Sequence, residues 1–321
     1  MEKEIESLDA VVIGGGQAGL AMGYHLRKLK KHFVILEAGK AIGASWQNRY
    51  DSLRLFTPAP FNGLAGLPFP GKSDYFPTKD EVAAYLQQYA QQYRLPVVLQ
   101  QPVTEVHKQD HLYLVATPAK LYRTAHVIVC TGAFHAPFVP SFSKQLNPGI
   151  RQLHSTDYRR PTQLQPGKTL VVGGGNSGFQ IAEELVMAGQ EVYFSFRGKL
   201  TGGNTSAFFF AFLFKSGLLS CSRYSWLGKR IQQRQEPIMS RNLKAVLHNP
   251  RLHVVGATTG ANEAGILCEK AVLQDVQNII WATGYTSDFS WIKVPVFDAS
   301  ENPVQRRGVI QSKDLYFLGL P

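Results

Sequence analysis

The sequence predicts an α/β fold of two βαβ-type units, one nested inside the other, and three observations predict it. An apolar run, Ala10-Val11-Val12-Ile13, leads into Gly14-Gly15-Gly16-Gln17-Ala18-Gly19. A second, Leu170-Val171-Val172, leads into Gly173-Gly174-Gly175-Asn176-Ser177-Gly178. Two further apolar stretches, residues 125–129 and 278–282, each run into a Thr-Gly pair, Thr131-Gly132 and Thr283-Gly284. Each glycine run reads as strand, tight turn and helix start, the arrangement that brings a pyrophosphate against the N–H groups of a helix N-terminus. One such run alone is a weak signal, because a ligand-free βα turn has the same pattern. Both runs here have the strand before, the helix after and a suited polar residue about twenty positions on.

In chain order, residues 10–37 form the first unit. Phe33-Val34-Ile35-Leu36 ends at Glu37, a carboxylate placed to accept from both hydroxyls of a ribose. Val82, Tyr85, Leu86, Tyr89 and Tyr93 recur at helical spacing, which predicts a helix over 80–93 with Thr78 as its cap. Residues 97–99, 103–107, 112–116 and 125–129 read as short strands. In the second unit the strand 192–196 ends at Arg197, with Lys199 close behind. A carboxylate there would repel a 2′-phosphate, whereas a guanidinium binds one with charge-assisted hydrogen bonds. The first site therefore suits a dinucleotide with a free ribose, FAD or NAD, and the second suits NADPH. The two Thr-Gly endings read as crossovers. They divide the chain into a discontinuous first domain, 1–159 and 276–321, and an inserted NADPH domain, 160–275.

With 321 residues, 44% of them hydrophobic, the chain is long enough for two domains with proper cores and globular in composition. Residues 1–9 are acidic and polar and carry no targeting signal. The longest apolar run, residues 207–214, is far short of the roughly twenty residues a membrane span requires. Cys130, Cys221 and Cys268 form no CxxC and no metal-binding spacing, so the expectation is three packing residues, no metal and a reducing cytoplasm. The net charge is +11, and between Arg197 and Arg251 ten cations face one acid, Glu236. Such a cluster attracts phosphates, an anionic membrane surface or NADPH itself. No nucleic-acid-binding motif accompanies it, and nucleic acid is not an expected partner. The stretch 199–250 reads as a helical excursion over the cofactor cleft.

Several runs carry a family resemblance. The segment from Gly43 through Trp46, Arg49, Tyr50, Asp51, Ser52 and Arg54 to Phe56-Thr57-Pro58 resembles the flavin-proximal segment of flavin-containing monooxygenases, which are class B flavoprotein monooxygenases. So do Leu67-Pro-Phe-Pro70, Phe76-Pro-Thr-Lys-Asp80, the run from Thr131 to Pro140, and Leu153-His154-Ser155 through Tyr158-Arg159. Trp281-Ala-Thr-Gly-Tyr285 and Leu315-Tyr-Phe-Leu-Gly-Leu-Pro321 complete the set, which covers essentially the whole chain in order. Within that superfamily it is most similar to the short bacterial branch of FAD/NAD(P)-dependent oxidoreductases.

The resemblance implies a glutathione-reductase-like architecture of two nested Rossmann-like domains, with FAD in the first and NADPH in the second. It further implies that NADPH reduces the flavin, and that a C4a-(hydro)peroxyflavin then passes one atom of O2 to a small-molecule substrate. The chemistry is the cofactor's, so no catalytic triad or metal is required. Carried over by residue, Gly14, Gly16, Gln17, Ala18, Gly19 and Glu37 hold FAD, Trp46 lies beside the flavin, and Val103 meets the adenine through its backbone. Thr131, Gly132, Thr283 and Gly284 close the cofactor sites, and Gly173, Gly175, Asn176, Ser177, Gly178 and Arg197 hold NADPH. Trp46 reads equally as a core anchor. His154 and Tyr158 read first as structural, and Arg49 and Arg54 as surface charges. Phe208, Phe209, Phe210, Phe212 and Phe214 read as core or as a lid over the substrate. A homodimer is admitted by the resemblance alone.

Three departures stand out. Gly149 is followed by four residues before His154, and Asn147 stands where the family's identifying sequence has an aromatic residue. The asparagine cited beside the reactive flavin has no clear counterpart, the matching stretch being Phe56-Thr57-Pro58 with Asn62 nearby. Relatives also continue past the equivalent of Gly319-Leu320-Pro321 with a strand-turn-helix whose N-terminus points at the flavin. A flavin monooxygenase, an NADPH-dependent reductase or oxidase without oxygen insertion, and a non-catalytic NADPH-binding sensor all stay open at this point.

Overall fold

A computed structural model of the protein describes residues 4–134, 136–203, 206–218, 221, 225–232, 237–240, 242–310 and 314–320. Arg223, Arg234, Glu236 and Arg241 of the basic stretch, with His135 and Pro321, lie outside the described residues. The first half runs β1 (Ile5–Ile13), α1 (Gln17–Lys28), β2 (Phe33–Leu36), α2 (Ala44–Gln47), α3 (Lys79–Gln92), β3 (Val97–Val98), β4 (Glu105–Gln109), β5 (Leu112–Ala116) and β6 (Leu121–Val129). It continues with β7 (Ala136–Pro137), β8 (Arg151–His154), β9 (Lys168–Val172), α4 (Asn176–Met187) and β10 (Val192–Ser195). Helices α5 (Ala207–Lys215), α6 (Trp226–Gln232) and α7 (Leu243–Leu247) follow. The chain ends with β11 (Leu252–Val254), β12 (Thr258–Asn262), β13 (Gly265–Cys268), β14 (Ala271–Leu273), β15 (Val276–Trp281), β16 (Tyr285–Thr286) and β17 (Leu315–Phe317).

Two sheets result. The first has strand order β3-β2-β1-β6-β5-β4, with β17 also on β6. Its β3, β2, β1, β6 and β17 are parallel, while β5 and β4 fold back antiparallel. Residues 10–13 of β1 and the whole of β2 are continuous apolar runs because both sheet faces are covered there. Val12, Ile35 and Ile128 pack with Leu20 of α1 and Leu86 of α3. Val11, Leu36 and Val127 face Phe289, Ile310 and Phe317 of the returning chain. The second sheet has order β11-β10-β9-β15-β8, parallel throughout, and buries Phe179, Ile181 and Leu185 of α4 against one face.

Helix α3 forms where the apolar spacing predicts it, one residue earlier, and Thr78 caps it through a reciprocal pair with Glu81. Three expectations change. Strand β1 begins at Ile5, pairing Ile5 with Leu121, because the polar residues 6 and 7 sit at the rim of the sheet. Val103 precedes β4 rather than lying within a strand. The domain limits also move: β8 and β15 both pair within the second sheet, so residues 276–281 and 151–154 belong with β9 and not with β1. Apolar runs mark strands but do not say which sheet they join. The return to the first sheet falls after the second Thr-Gly pair. There β16 pairs antiparallel with β7, so the two crossovers are hydrogen-bonded to each other.

Candidate functional site

The two glycine turns are near copies. Gly14 and Gly173 adopt positive φ of 107° and 126°, and a Cβ on either would strike a carbonyl, Cys130 O at 2.6 Å or Ala282 O at 2.1 Å. These carbonyls belong to the residues before Thr131 and Thr283, so each turn packs on the start of a crossover. A Cβ on Gly19 or Gly178 would lie 1.9 Å or 2.0 Å from the carbonyl of Gly14 or Gly173. Those glycines are needed for the helix to sit against its strand. A Cβ on Gly16 or Gly175, by contrast, meets nothing within 4 Å among the described residues. No protein contact demands glycine there, and what the missing side chain leaves is room for a ligand at the backbone. Both glycines are also the N-caps of α1 and α4, neither with a side-chain cap nor an acid in the first turn. The positive helix ends and their N–H groups are left for an anion.

The first turn opens on a cleft of about 340 Å³ lined by Gly14, Gly15, Gly16, Glu37, Val103 and Thr131, among others. Glu37 accepts from Gly15 N–H at 2.6 Å and Gly39 N–H at 2.7 Å, one bond to each carboxylate oxygen. That fixes the carboxylate and leaves further lone pairs for a ribose. Two buried oxygens on the lining, Gln101 Oε1 and Thr131 Oγ1, have no hydrogen-bond partner among the described residues. Buried polar atoms are rarely left so, and a polar ligand would satisfy them. These residues fit the adenosine diphosphate portion of FAD. Gln17 and Ala18 open α1 beside the cleft, and Gly319 reaches Ala18. Trp46 packs half-buried on the core under α3, while Gly43, Ala44 and Ser45 line the cleft in its place. Gln101, Cys130 and Trp291 also line it and were not expected. Trp291 arrives from the irregular segment after the second crossover, where periodicity gives no signal.

Around the second turn, Asn176 Oδ1 accepts from Met239 N at 2.8 Å, so its side chain anchors the chain near α7. Ser177 sits against the Tyr50 hydroxyl. Arg197, just past β10, is exposed and makes no ion pair among the described residues. Its guanidinium is available to a phosphate.

Between the two turns, the crossovers and residues 46–54 form a clamp. Arg49 donates to Tyr285 Oη and lies 5.1 and 5.3 Å from the ring centroids of Phe134 and Tyr285, which meet edge to face. Thr156 Oγ1 pairs with Tyr285 Oη at 2.7 Å and with His154 Nδ1 at 3.1 Å. Thr156 N–H donates to His154 Nδ1, which makes Nε2 the protonated nitrogen that donates to Gly284 O at 3.0 Å. Both ring nitrogens are spent, and burial holds the His154 pKa below the ordinary value. The residue ties β8 to the second crossover and is structural. Tyr158 donates to Glu184 of α4 at 2.7 Å, and Tyr50 donates to Gln180 at 3.0 Å. Burial raises both tyrosine pKa values and that of Glu184, so these groups stay protonated or neutral longer than usual. Thr283 Oγ1 donates to Phe138 O, a structural bond within the paired crossovers. Arg54 donates to Phe76 O and faces away from the first cleft.

The cysteines carry no dithiol chemistry. Among the described residues no two cysteines are joined in a disulfide, and burial pushes the Cys130 thiol up to about 12, so it stays protonated and poorly nucleophilic.

Comparisons agree with this geometry. The chain is 41% identical to an uncharacterised CzcO-like oxidoreductase of Geobacillus kaustophilus, over 98% of this chain and 91% of that one. It is 29% identical over 58% of its length to the rice indole-3-pyruvate monooxygenase YUCCA4, covering 46% of that protein. Among solved structures, the flavin-containing monooxygenase of Stenotrophomonas maltophilia superposes with a TM-score of 0.80 at 26% identity, covering 98% of this chain and 91% of that one. The profile of the pyridine nucleotide-disulphide oxidoreductases matches residues 11–208, from within β1 past both glycine turns and Arg197 into α5. That match takes in more than half of the chain and both dinucleotide cradles, and the chain belongs to the pyridine nucleotide-disulphide oxidoreductase family as a flavin-dependent enzyme.

Proposed function

We propose that the protein is an NADPH-dependent flavin monooxygenase acting on a small molecule. The observation that carries this reading is the asymmetry of two otherwise matching cradles. One ends in a tethered carboxylate, Glu37, and the other in an exposed guanidinium, Arg197, with no ion pair among the described residues. A carboxylate suits the free ribose of FAD and a guanidinium the 2′-phosphate of NADPH. FAD, when bound, supplies electron transfer from the nicotinamide and oxygen activation. The chain's own part is to bind and to exclude water. Gly14, Gly16, Gly19, Glu37, Gln101, Val103 and Thr131 hold the first nucleotide. Gly173, Gly175, Gly178 and Arg197 hold the second. The clamp of Arg49, Tyr285, Thr156 and His154 fixes the crossovers between them. A disulfide-reductase role is disfavoured, since Cys130, Cys221 and Cys268 form no CxxC pair.

One observation favours reduction without oxygen insertion as the second reading. The Asn62 amide is spent on Thr57 O at 3.0 Å and Pro58 O at 2.9 Å, so it is held within its own loop. The test is a turnover balance on FAD-loaded protein: NADPH consumed, O2 consumed, hydrogen peroxide released and oxygenated product formed, over a panel of sulfides, amines and 2-oxo acids. Product equal to NADPH supports oxygenation. Peroxide equal to NADPH with every compound supports the second reading, and failure to retain flavin overturns both.

A further inference from the structure

The protein also carries a surface that none of this chemistry uses. Helix α5 has the sequence Ala-Phe-Phe-Phe-Ala-Phe-Leu-Phe-Lys. One side is partly docked: Phe210 is buried, and Phe210 and the half-exposed Phe214 lie against Phe61 with ring centroids 5.9 and 5.0 Å away. The other side is not. Phe208 and Phe212, one turn apart, are 83% and 58% exposed, and Lys215 follows in the last turn. Helix α6 repeats the pattern. Trp226 is 74% exposed, Arg230 stacks over its ring at 5.5 Å, and Lys229 is exposed beside it. No Asp or Glu falls between Glu191 and Glu236.

Large aromatic side chains held in water cost solvation free energy unless something covers them. We propose that α5 and α6 dock the protein onto the surface of a bilayer containing anionic phospholipid. The sign of the charge selects this occupant. Phenylalanine and tryptophan beside lysine and arginine, on short helices without acids, are the composition of an interfacial membrane element. The aromatic rings enter the headgroup boundary, and the cations meet lipid phosphates. A second copy of the chain fits less well. In a twofold contact the same patch faces itself, which would set Lys215, Lys229 and Arg230 near their own counterparts.

The experiment uses full-length, FAD-loaded protein in flotation with vesicles of phosphatidylcholine, with and without about 30% phosphatidylglycerol. The expected result is binding to the anionic vesicles that is at least about tenfold stronger than to the neutral ones and falls at high salt, as headgroup attraction requires. Phe208→Ser/Phe212→Ser and Trp226→Ser should each lower that binding at least several-fold while retaining flavin and NADPH oxidation. Brominated anionic lipid should quench wild-type tryptophan fluorescence more than that of Trp226→Ser. Equal binding to both vesicle types, no binding to either, or variants that bind as well as wild type would overturn the proposal. So would tight binding of single-stranded DNA in place of vesicles, or a dimer in sedimentation that the Phe208→Ser/Phe212→Ser change abolishes.

Discussion

The two glycine turns have the same backbone and different surroundings. In each, one glycine is held at positive φ against a carbonyl, one lets the helix onto the strand, and one faces open space. What distinguishes them is the polar residue after the second strand. Glu37 is fixed by two N–H groups on the wall of a defined cleft, whereas Arg197 stands exposed with no acid paired to it among the described residues. The comparison teaches a division of labour. On the proposed reading the turn provides a phosphate site of either kind, and one residue some twenty positions on selects the nucleotide.

The comparison breaks hardest at the open glycines. Gly16→Val should abolish flavin retention, a loss of about 100-fold or more in affinity, by filling the space the pyrophosphate needs. Gly175→Val should leave flavin in place and cut its reduction by NADPH by a similar factor, about 100-fold. Flavin content and anaerobic bleaching by NADPH separate the two, and a swap of the two phenotypes would reverse the assignment of the cradles. In both variants the apoprotein should melt within about 2 °C of wild type, since a Cβ at either position meets nothing within 4 Å among the described residues. Gly19→Ala and Gly178→Ala should behave oppositely. Their Cβ atoms meet backbone carbonyls that cannot yield, which should cost about 3 kcal/mol. Thermal melts should show this as a fall of roughly 5–10 °C.

Next come the selecting residues. Glu37→Gln leaves only one acceptor oxygen for two N–H donors, so one of them faces an amide NH2. Flavin binding should weaken by about tenfold, the scale of one lost charged hydrogen bond. Arg197→Ala should raise the KM for NADPH by about 10-fold or more with little change for NADH. Steady-state kinetics with both nucleotides read this directly. An unchanged NADPH/NADH ratio would remove Arg197 from the 2′-phosphate site.

Much of this was legible in the sequence because the glycine turns couple a local pattern to a steric demand. Gly14, Gly19, Gly173 and Gly178 are glycines for reasons of contact, and Glu37 and Arg197 follow from strand length. Helix α3 was readable from its spacing and its cap. The sheet partner of residues 276–281 was not, because an apolar strand buried on both faces looks alike in either sheet. Trp46 reads from the sequence equally as a core anchor or a cofactor neighbour, and it packs half-buried on the core while its neighbours Ala44 and Ser45 line the first cleft. The clamp of Arg49, Phe134, His154, Thr156 and Tyr285 was only partly visible. Its members are far apart in the chain, and their meeting depends on the pairing of β7 with β16.

His154 gives the smallest effect and the finest distinction, because the same residue could be read as an acid–base group or as a tie between crossovers. Its ring accepts at Nδ1 from Thr156 N–H and donates from Nε2 to Gly284 O, so the neutral form is the one the fold uses. Burial holds its pKa below the usual 6.5, the Gly284 bond opposing that only in part. The unfolded chain therefore binds a proton more readily than the folded one. The stability this gives is complete above about pH 6.5 and is lost as pH falls through the lower folded-state value. Melts taken from about pH 8 to about pH 5 should fall more steeply for wild type than for His154→Gln, which has no proton to bind there. Other titrating groups act in both proteins and cancel in the difference. A structural tie also predicts that the acidic limb of kcat stays where it is in His154→Gln once the protein is folded and flavin-loaded. A shifted limb would make His154 a proton-transfer group and not a tie.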